Sequence, residues 1–430
     1  MSVVSLVLLN DTLRLHDNPL LHCSAGSNQR KAAVIVLNKT AFFGQQYGIK
    51  RANLQRLQQQ LIVISVLKAE LARKNIGLIT LFGDTVNRLT TLAQQLAATQ
   101  LYCAEPVAPF ESLQLKQLSR QLHVTQLDCN SLLADHLRPD LTRLPSSFTP
   151  FRKQREPLLL VSAPITTSIT AETWLTPAET TVYNIGFDAV LQHYLPPSAR
   201  NHADEHTALN HVQQYIWQNQ HILHYKDTRN QLHGKNYASF CSSALAVGSL
   251  SVRQLWQEIV QFEQQITANE STYWLKFELL WREFFRWQFR KHGAHWFSKN
   301  AIKGPADFSP PLTNSAQQRA FYNWCNADSG VAFIDANMRL LNQTGLMSNR
   351  GRQNVASYLI HDLGVDWRLG AAYFEQRLLD YDCASNWGNW AYIAGTGNST
   401  ERQFNVQKQA SLYDPTGSFV DAMSANNSPL

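Results

Sequence analysis

Charge is scarce in this chain. Asp, Glu, Lys and Arg make up 16% of the 430 residues and hydrophobic residues 44%, which excludes a disordered chain and a charge-dense scaffold and fits a globular protein with buried cores. Long apolar runs are missing too. No stretch reaches the roughly 18 uninterrupted apolar residues of a membrane span. The opening MSVVSLVLLN has no basic flank and is cut short by Asn10-Asp11, so it reads as a first strand rather than a secretory signal. The six cysteines (Cys23, Cys103, Cys129, Cys241, Cys325, Cys383) contain no CxxC pair and no neighbouring histidine at ligand spacing. That scatter points to the reducing cytoplasm and argues against a zinc site or a four-cysteine iron–sulfur cluster, so no metal is expected. No GxGxxG follows the first apolar run, so a dinucleotide site of the usual kind is not supported there. The net charge of +6 permits a nucleic-acid partner without requiring one.

The length suits two or three domains. Residues 1–135 alternate short apolar runs (3–9, 32–37, 76–82, 100–104, 124–128) with amphipathic segments at 47–74 and 85–98. This is the βαβ rhythm of a five-stranded parallel sheet, with Asp84 as an N-cap. Residues 136–204 hold eight of the sixteen prolines, with many Ser and Thr and little periodicity, and read as a linker packed along the surface. From 205 to 420 the chain reads as helical, with amphipathic runs near 206–220, 251–268, 271–292, 315–326, 331–344 and 350–361, followed by a tail at 421–430. Ten of the eleven tryptophans fall in this half, Trp174 being the exception. Such clustering suits either a large aromatic-lined site or simply a large helical core.

Along 271–292, Glu278, Arg282, Arg286 and Arg290 recur at four-residue spacing beside Trp281, Phe285 and Phe289. Two readings stand: a surface that grips phosphates and stacks on bases, or an Arg-laced amphipathic helix with its aromatic side in the core. Near Tyr225 and Arg229, the run Tyr237 to Ser243 gathers hydroxyls at a helix start, where free N–H groups favour a phosphate or a serine simply caps. Asn349-Arg350-Gly351-Arg352-Gln353-Asn354 is dense in planar donors that Asp380 and Asp382 could satisfy. Carboxylates beside arginine stay ionised, whether the cluster binds a ligand or holds the fold.

In order, the segments YKDTRN (225–230), FELLWREFFR (277–286), DANMR (335–339), MSNRGRQNVASYL (347–359), LGVDWRLGA (363–371) and DYDCASNWGNWAYIAG (380–395) resemble the flavin domain of the photolyase and cryptochrome family. The Asn-Arg-Gly-Arg-Gln-Asn run, Tyr392 and FNVQKQASLYDPTGSFV (404–420) are most similar to the DASH-type cryptochromes, and LRLHDNPLL (13–21) is similar to the start of the family's antenna domain. The resemblance implies an α/β antenna-type domain joined by the linker to an all-α FAD-binding domain. It implies that Tyr225, Ser239 and Ser242 lie along the FAD phosphates, and that Arg352, Asp380, Asp382 and Asn386 surround the isoalloxazine ring. Glu278, Trp281, Gln353 and Tyr392 match the family's lesion pocket, Arg229 and Arg350 its contacts to DNA phosphates, and Trp390 and Trp367 the inner and middle members of its electron-carrying tryptophan chain.

Two departures from the family pattern are visible. Ala238 and Phe240 replace a hydroxyl and a basic residue beside the FAD phosphates, and 303–314 has no outer tryptophan, leaving Trp324 or Tyr322 as substitutes. Methenyltetrahydrofolate is the antenna the resemblance implies, with Glu105 as its candidate contact. The expected activity is that of a deoxyribodipyrimidine photo-lyase: excited reduced FAD passes an electron to a cyclobutane pyrimidine dimer and splits it, with single-stranded DNA preferred. RNA is a further candidate partner, and a monomer is expected. The alternative is a blue-light photoreceptor that signals without repair.

Overall fold

The computed structural model describes residues 4–23, 30–159, 161–166, 168–196, 203–234, 236–311 and 314–424; positions 425–430 of the expected tail lie outside them. Five parallel strands, β1 (Val4–Leu8), β2 (Arg30–Asn38), β3 (Leu78–Gly83), β4 (Gln100–Ala104) and β5 (His123–Leu127), form one sheet in the order β3-β2-β1-β4-β5. β1 pairs with β2 through Val7↔Ala33 and with β4 through Val7↔Tyr102. Successive side chains point to opposite faces, and both faces are covered, which is why these strands read as nearly continuous apolar runs. Leu6, Val34, Ile79 and Leu101 pack against Leu89 and Leu92 of α2 (Thr85–Gln95) and Leu115 and Leu118 of α3 (Pro109–Leu118). Val7, Ala33, Ile35 and Leu78 pack against Leu57, Leu61, Ile64 and Leu67 of α1 (Leu54–Arg73).

The helix expected over 47–74 starts later. Gln45–Gln46 and Ile49–Lys50 form a hairpin whose turn residues Tyr47 (φ 53°) and Gly48 (φ 78°) are both left-handed, the backbone a two-residue hairpin needs. Asn53 then caps α1 by accepting from the Arg56 N–H at 2.9 Å. The proline-rich stretch does run along the surface, and its apolar residues close off the sheet. Trp174 and Phe187 are fully buried on it, while the Leu175 N–H donates to Lys31 and the Phe82 N–H to Ile185.

The helical half contains α4 (Val252–Gln265), α5 (Glu270–His292), α6 (Ser315–Cys325), α7 (Ala332–Thr344), α8 (Asn349–Ser357), α9 (Trp367–Arg377) and α10 (Cys383–Ile393) around one core. The central element is α5. Asn269 starts it with a reciprocal cap to Thr272, and Arg290 and Lys291 complement the dipole at its end. Its basic stripe faces the seam between the two halves rather than open solvent: Arg282 donates to the Asn130 carbonyl at 3.0 Å, Arg286 lies 3.8 Å from Asp382, and Arg290 3.4 Å from Asp128. Among the described residues, no helix is long and apolar enough to cross a membrane.

Candidate cofactor site and the wall beside it

The turn from α7 into α8 sets the first part of the site. Ser348 caps α8 by accepting from the Gly351 N–H at 3.0 Å. A Cβ on Gly351 would stand 2.2 Å from Asn337 Oδ1, so only glycine lets α8 lie this close to α7. The next residue, Arg352, donates from Nη2 to both Asp380 oxygens at 2.8 and 3.0 Å and from Nε to the Met347 carbonyl. Asp382 caps α10, accepting from the Ser385 N–H at 2.8 Å. Burial acts to raise its pKa, but Arg286, Arg282 and the Ser385 N–H outweigh burial and hold the carboxyl below its ordinary value. Asn386, one turn into α10 and 7% exposed, donates to the Ala371 carbonyl at 3.0 Å. Gly388 then packs so tightly on Phe285 that a Cβ would lie 2.4 Å from its ring, which fixes α10 against α5.

The hydroxyl-rich loop reaches the same region. Tyr237 is buried, and Arg352 and Asp380 lie near enough to act on its phenol. Phe240 holds a left-handed φ of 52°, an uncommon conformation for a bulky residue. Ser239 receives His211 Nε2 on its carbonyl at 2.7 Å, and Ser242 stands exposed at the start of the short helix Ser242–Val247. Tyr225 is buried, its phenol pushed up by burial and by nearby Glu278.

The residues fit FAD on a structural ground. The buried Nε atom of Arg286, beside Asp382, has no hydrogen-bond partner. Burial and neighbouring Arg286 push Arg282 down to about 10. A dinucleotide with an anionic pyrophosphate and a carbonyl-bearing ring would absorb this surplus of donors and positive charge.

Beside it stands a second wall. Glu278 Oε1 forms an ion pair with Arg229 Nη2 at 2.5 Å, and its carboxyl is raised by burial, with Arg229 opposing. Trp281 stacks on Phe148 at 3.8 Å and 11°, and meets Tyr392 edge-on at 5.8 Å. Arg402 donates to the Tyr392 hydroxyl at 3.2 Å. Gln353 accepts from Arg350 Nη1 at 2.9 Å, and Arg350 also reaches Asn230 at 3.0 Å. Arg229 and Arg350 are therefore engaged within the protein, each by a polar partner at this wall.

Trp390 is buried against Gly370 of α9, and Trp367 donates its indole N–H to the Lys299 carbonyl at 3.0 Å. Trp324 is wholly buried and lies 6.2 Å from Trp390, whereas Tyr322 is 68% exposed. Glu105 stands apart from the ring site. It pairs with Arg138 and, at 3.4 Å, with Arg290 of α5, bracing the two halves.

Phe148 escaped the sequence reading, and the roles of three residues named there did too. Phe148, on the helix Phe148–Arg155 of the linker, backs Trp281; Arg282 and Arg286 act on Asp382 within the helical half; Tyr237 lies by the Arg352–Asp380 pair. The four-residue arginine spacing was a signal for the second, but spacing does not say which way a stripe faces.

A family model described as DNA photolyase matches residues 5–168, and one described as the FAD binding domain of DNA photolyase matches residues 274–423. The chain belongs to the photolyase and cryptochrome family. Within it, the chain is similar to the proteins named cryptochrome DASH of Natronomonas pharaonis (36% identical, covering 97% of this chain and 89% of the relative) and of Synechocystis sp. (34%, 96% and 86%). Its fold superposes on the crystal structure of a Synechocystis sp. cryptochrome with a TM-score of 0.87 at 32% identity, over 98% of this chain and 88% of that one. A bacterial class III photolyase from Agrobacterium tumefaciens shares the fold with a TM-score of 0.78 at 24% identity, over 98% and 86%.

Proposed function

We propose that this protein is a light-driven, FAD-dependent enzyme that splits cyclobutane pyrimidine dimers in DNA, preferring single strands. The observation behind this reading is the pairing of two walls through one helix contact: α5 presents Glu278 and Trp281, α10 presents Asn386 and Tyr392, and Phe285 against Gly388 locks them together.

When bound, reduced FAD supplies the light absorption and the electron that opens the two carbon–carbon bonds of the dimer. The chain's own residues position and exclude. The Arg352–Asp380 pair and Asn386 orient the ring edge, Asp382 stays ionised beside it, and Tyr225, Ser239 and Ser242 line the phosphates. Trp281, held rigid by Phe148, and Tyr392 clamp the dimer from two directions, and Gln353 closes the rim. With Oε1 engaged by Arg229, Glu278 presents Oε2 to a base carbonyl or N–H. Burial raises this carboxyl, so it can share a proton at the base more readily than an exposed glutamate could. Arg350 and the outer edge of Arg229 face the strand's phosphates, and Trp367 and Trp390 resupply electrons. Turning a dimer out of its stack costs less in a single strand than in a duplex, which supports the strand preference.

Methenyltetrahydrofolate is proposed as the antenna, seated between the 1–135 and 205–420 domains. Because Glu105 already pairs with Arg138 and Arg290, its part there is to shape the site. Extraction of the purified protein and chromatography of the released chromophores tests that proposal: recovery of FAD alone refutes it.

The central test illuminates the chemically reduced protein with a dimer-containing oligonucleotide, single-stranded and duplex in parallel, against a dark control and a Glu278→Ala variant. Light-dependent dimer loss, faster on the single strand and reduced in the variant, is the expected result. Flavin-loaded, reduced protein that leaves dimers intact would overturn the repair reading and favour a photoreceptor.

A further inference from the structure

The family's usual outer tryptophan has no counterpart in 303–314, and the geometry shows where electrons can come from instead. The inner tryptophan, Trp390, has two ring contacts: Phe374 at 5.0 Å and Trp324 at 6.2 Å. Trp367 makes its ring contact with a different tryptophan, Trp387, at 5.9 Å. Around Trp367, Arg368 ties 303–311 down by donating to the Ser309 carbonyl. The large exposed ring of that segment is Phe308, 55% exposed, and a phenyl ring is far harder to oxidise than an indole or a phenol. The Trp367 route therefore lacks an oxidisable end in that segment.

Trp324 does have one beyond it. Tyr373 stands 5.6 Å away at 62°. Its hydroxyl bonds Asn342 Oδ1 at 2.7 Å and the Cys325 carbonyl at 2.8 Å, and accepts from Arg377 Nε at 3.2 Å. Asn342 and Arg377 are partly exposed, so this phenol is buried one hydrogen bond from solvent. Burial pushes its pKa up to about 12, so it is protonated at neutral pH and must lose a proton on losing an electron.

We infer that Trp390, Trp324 and Tyr373 form a second electron-supply branch of this protein, with Tyr373 as its outer donor. The inference rests on the reading that the chain binds a photoreducible flavin. An electron that leaves Trp390 for the photoexcited flavin is replaced from Trp324, whose indole N–H is held on the Val355 carbonyl at 3.1 Å with no base to take its proton. Trp324 is refilled from Tyr373. The phenol proton passes to solvent water at the Asn342–Arg377 edge, leaving a neutral tyrosyl radical, and an external thiol returns one hydrogen atom to it and becomes a thiyl radical. One electron enters the flavin for each thiol oxidised. Trp324 and Tyr373 thus act as relay residues within the protein; neither is assigned a contact with flavin or lesion.

The test uses the flavin-loaded protein as purified, with Trp367→Phe, Trp324→Phe, Tyr373→Phe and the Trp367→Phe/Trp324→Phe pair, each checked for flavin content and thermal midpoint. Flashes trap the protein radical at low temperature for electron paramagnetic resonance, and steady illumination with thiol measures flavin photoreduction. Expected are a tyrosyl spectrum in the wild type that Tyr373→Phe and Trp324→Phe each remove, and photoreduction that survives Trp367→Phe and is lost in the pair. A tyrosyl signal that persists in Tyr373→Phe, or photoreduction abolished by Trp367→Phe alone, overturns the branch. So does a wild type that binds flavin and gives no protein radical. Repair by chemically reduced protein needs no such relay, so failure of the branch leaves that result standing. If Trp324→Phe loses flavin or folds poorly, Tyr373→Phe decides, since it removes one oxygen and keeps the ring.

Discussion

Glu278 and Glu111 are both half-buried carboxyls, and their supports differ. Glu278 has Arg229 at 2.5 Å. Glu111, in the first turn of α3, faces a crevice of about 190 Å³ at the carboxyl ends of β1, β2 and β4, together with Asp11, Phe110 and Tyr381, and its Oε2 is buried without a partner. Burial, with Asp11 adding, pushes it up to about 7. The unfolded chain releases this proton near 4.5 and the folded chain near 7, so between those values the folded state binds more protons and stability falls as pH rises. Glu111→Gln removes that decline. It is expected to raise the thermal midpoint relative to wild type at pH 8 and to leave it close to wild type at pH 4.5. The difference is at most about 3 kcal/mol, and smaller because the crevice admits water. Equal offsets at both pH values would show that Glu111 ionises normally. Neither environment was legible in the sequence. Arg229 lies 49 positions from Glu278, and no spacing or motif singles out Glu111, so only tertiary packing reveals the pairing of one and the isolation of the other. The Arg352–Asp380 pair was legible because the segments carrying it resemble those of a known family.

At the scale of elements, periodicity located α5 to within a residue at its start, and left open which way its arginines face. Spacing defines a stripe, while orientation depends on the rest of the core, and here the core turns Arg282, Arg286 and Arg290 to the seam. The linker was legible as proline-rich surface chain, but its seating of Phe148 behind Trp281 was not, because one aromatic in an aperiodic segment has no pattern to belong to. Gly351 offers an element-scale prediction. A Cβ there would stand 2.2 Å from Asn337 Oδ1 and 2.9 Å from Met347 Cγ, so Gly351→Ala must push α8 off α7 and draw Arg352 from Asp380. The expected cost is about 1–3 kcal/mol, the usual range for overpacking. Flavin should be lost at lower temperature than in the wild type, read from fluorescence of the released cofactor during a melt. An unchanged release temperature would mean that α8 can shift without disturbing the Arg352–Asp380 pair.

Over the whole molecule, the two halves are joined by buried polar groups rather than by apolar contact alone. Arg14, fully buried, donates to Asn130 Oδ1 at 3.0 Å and to the carbonyls of Asp17, Cys129 and Gly248, so one guanidinium spans the α/β half and the helical half. Asp17 does the same with opposite charge. It receives Arg253 Nε at 2.9 Å and Nη2 at 3.0 Å, the Ser251 hydroxyl, and the Ile165 N–H of the linker at 3.0 Å. Asp17→Asn keeps the shape and tolerates the left-handed φ of 48°, and leaves Arg253 without its counter-charge. Removing one partner of a buried pair costs about 3–5 kcal/mol, and here the loss falls on the joint between halves more than on either core. The wild type is therefore expected to unfold in one calorimetric transition that coincides with flavin release. Asp17→Asn should separate it into two, because each half retains its own apolar core while the tie between them weakens. A single transition merely shifted downward would place the cost inside one half and show that the seam's apolar contacts suffice to couple the two.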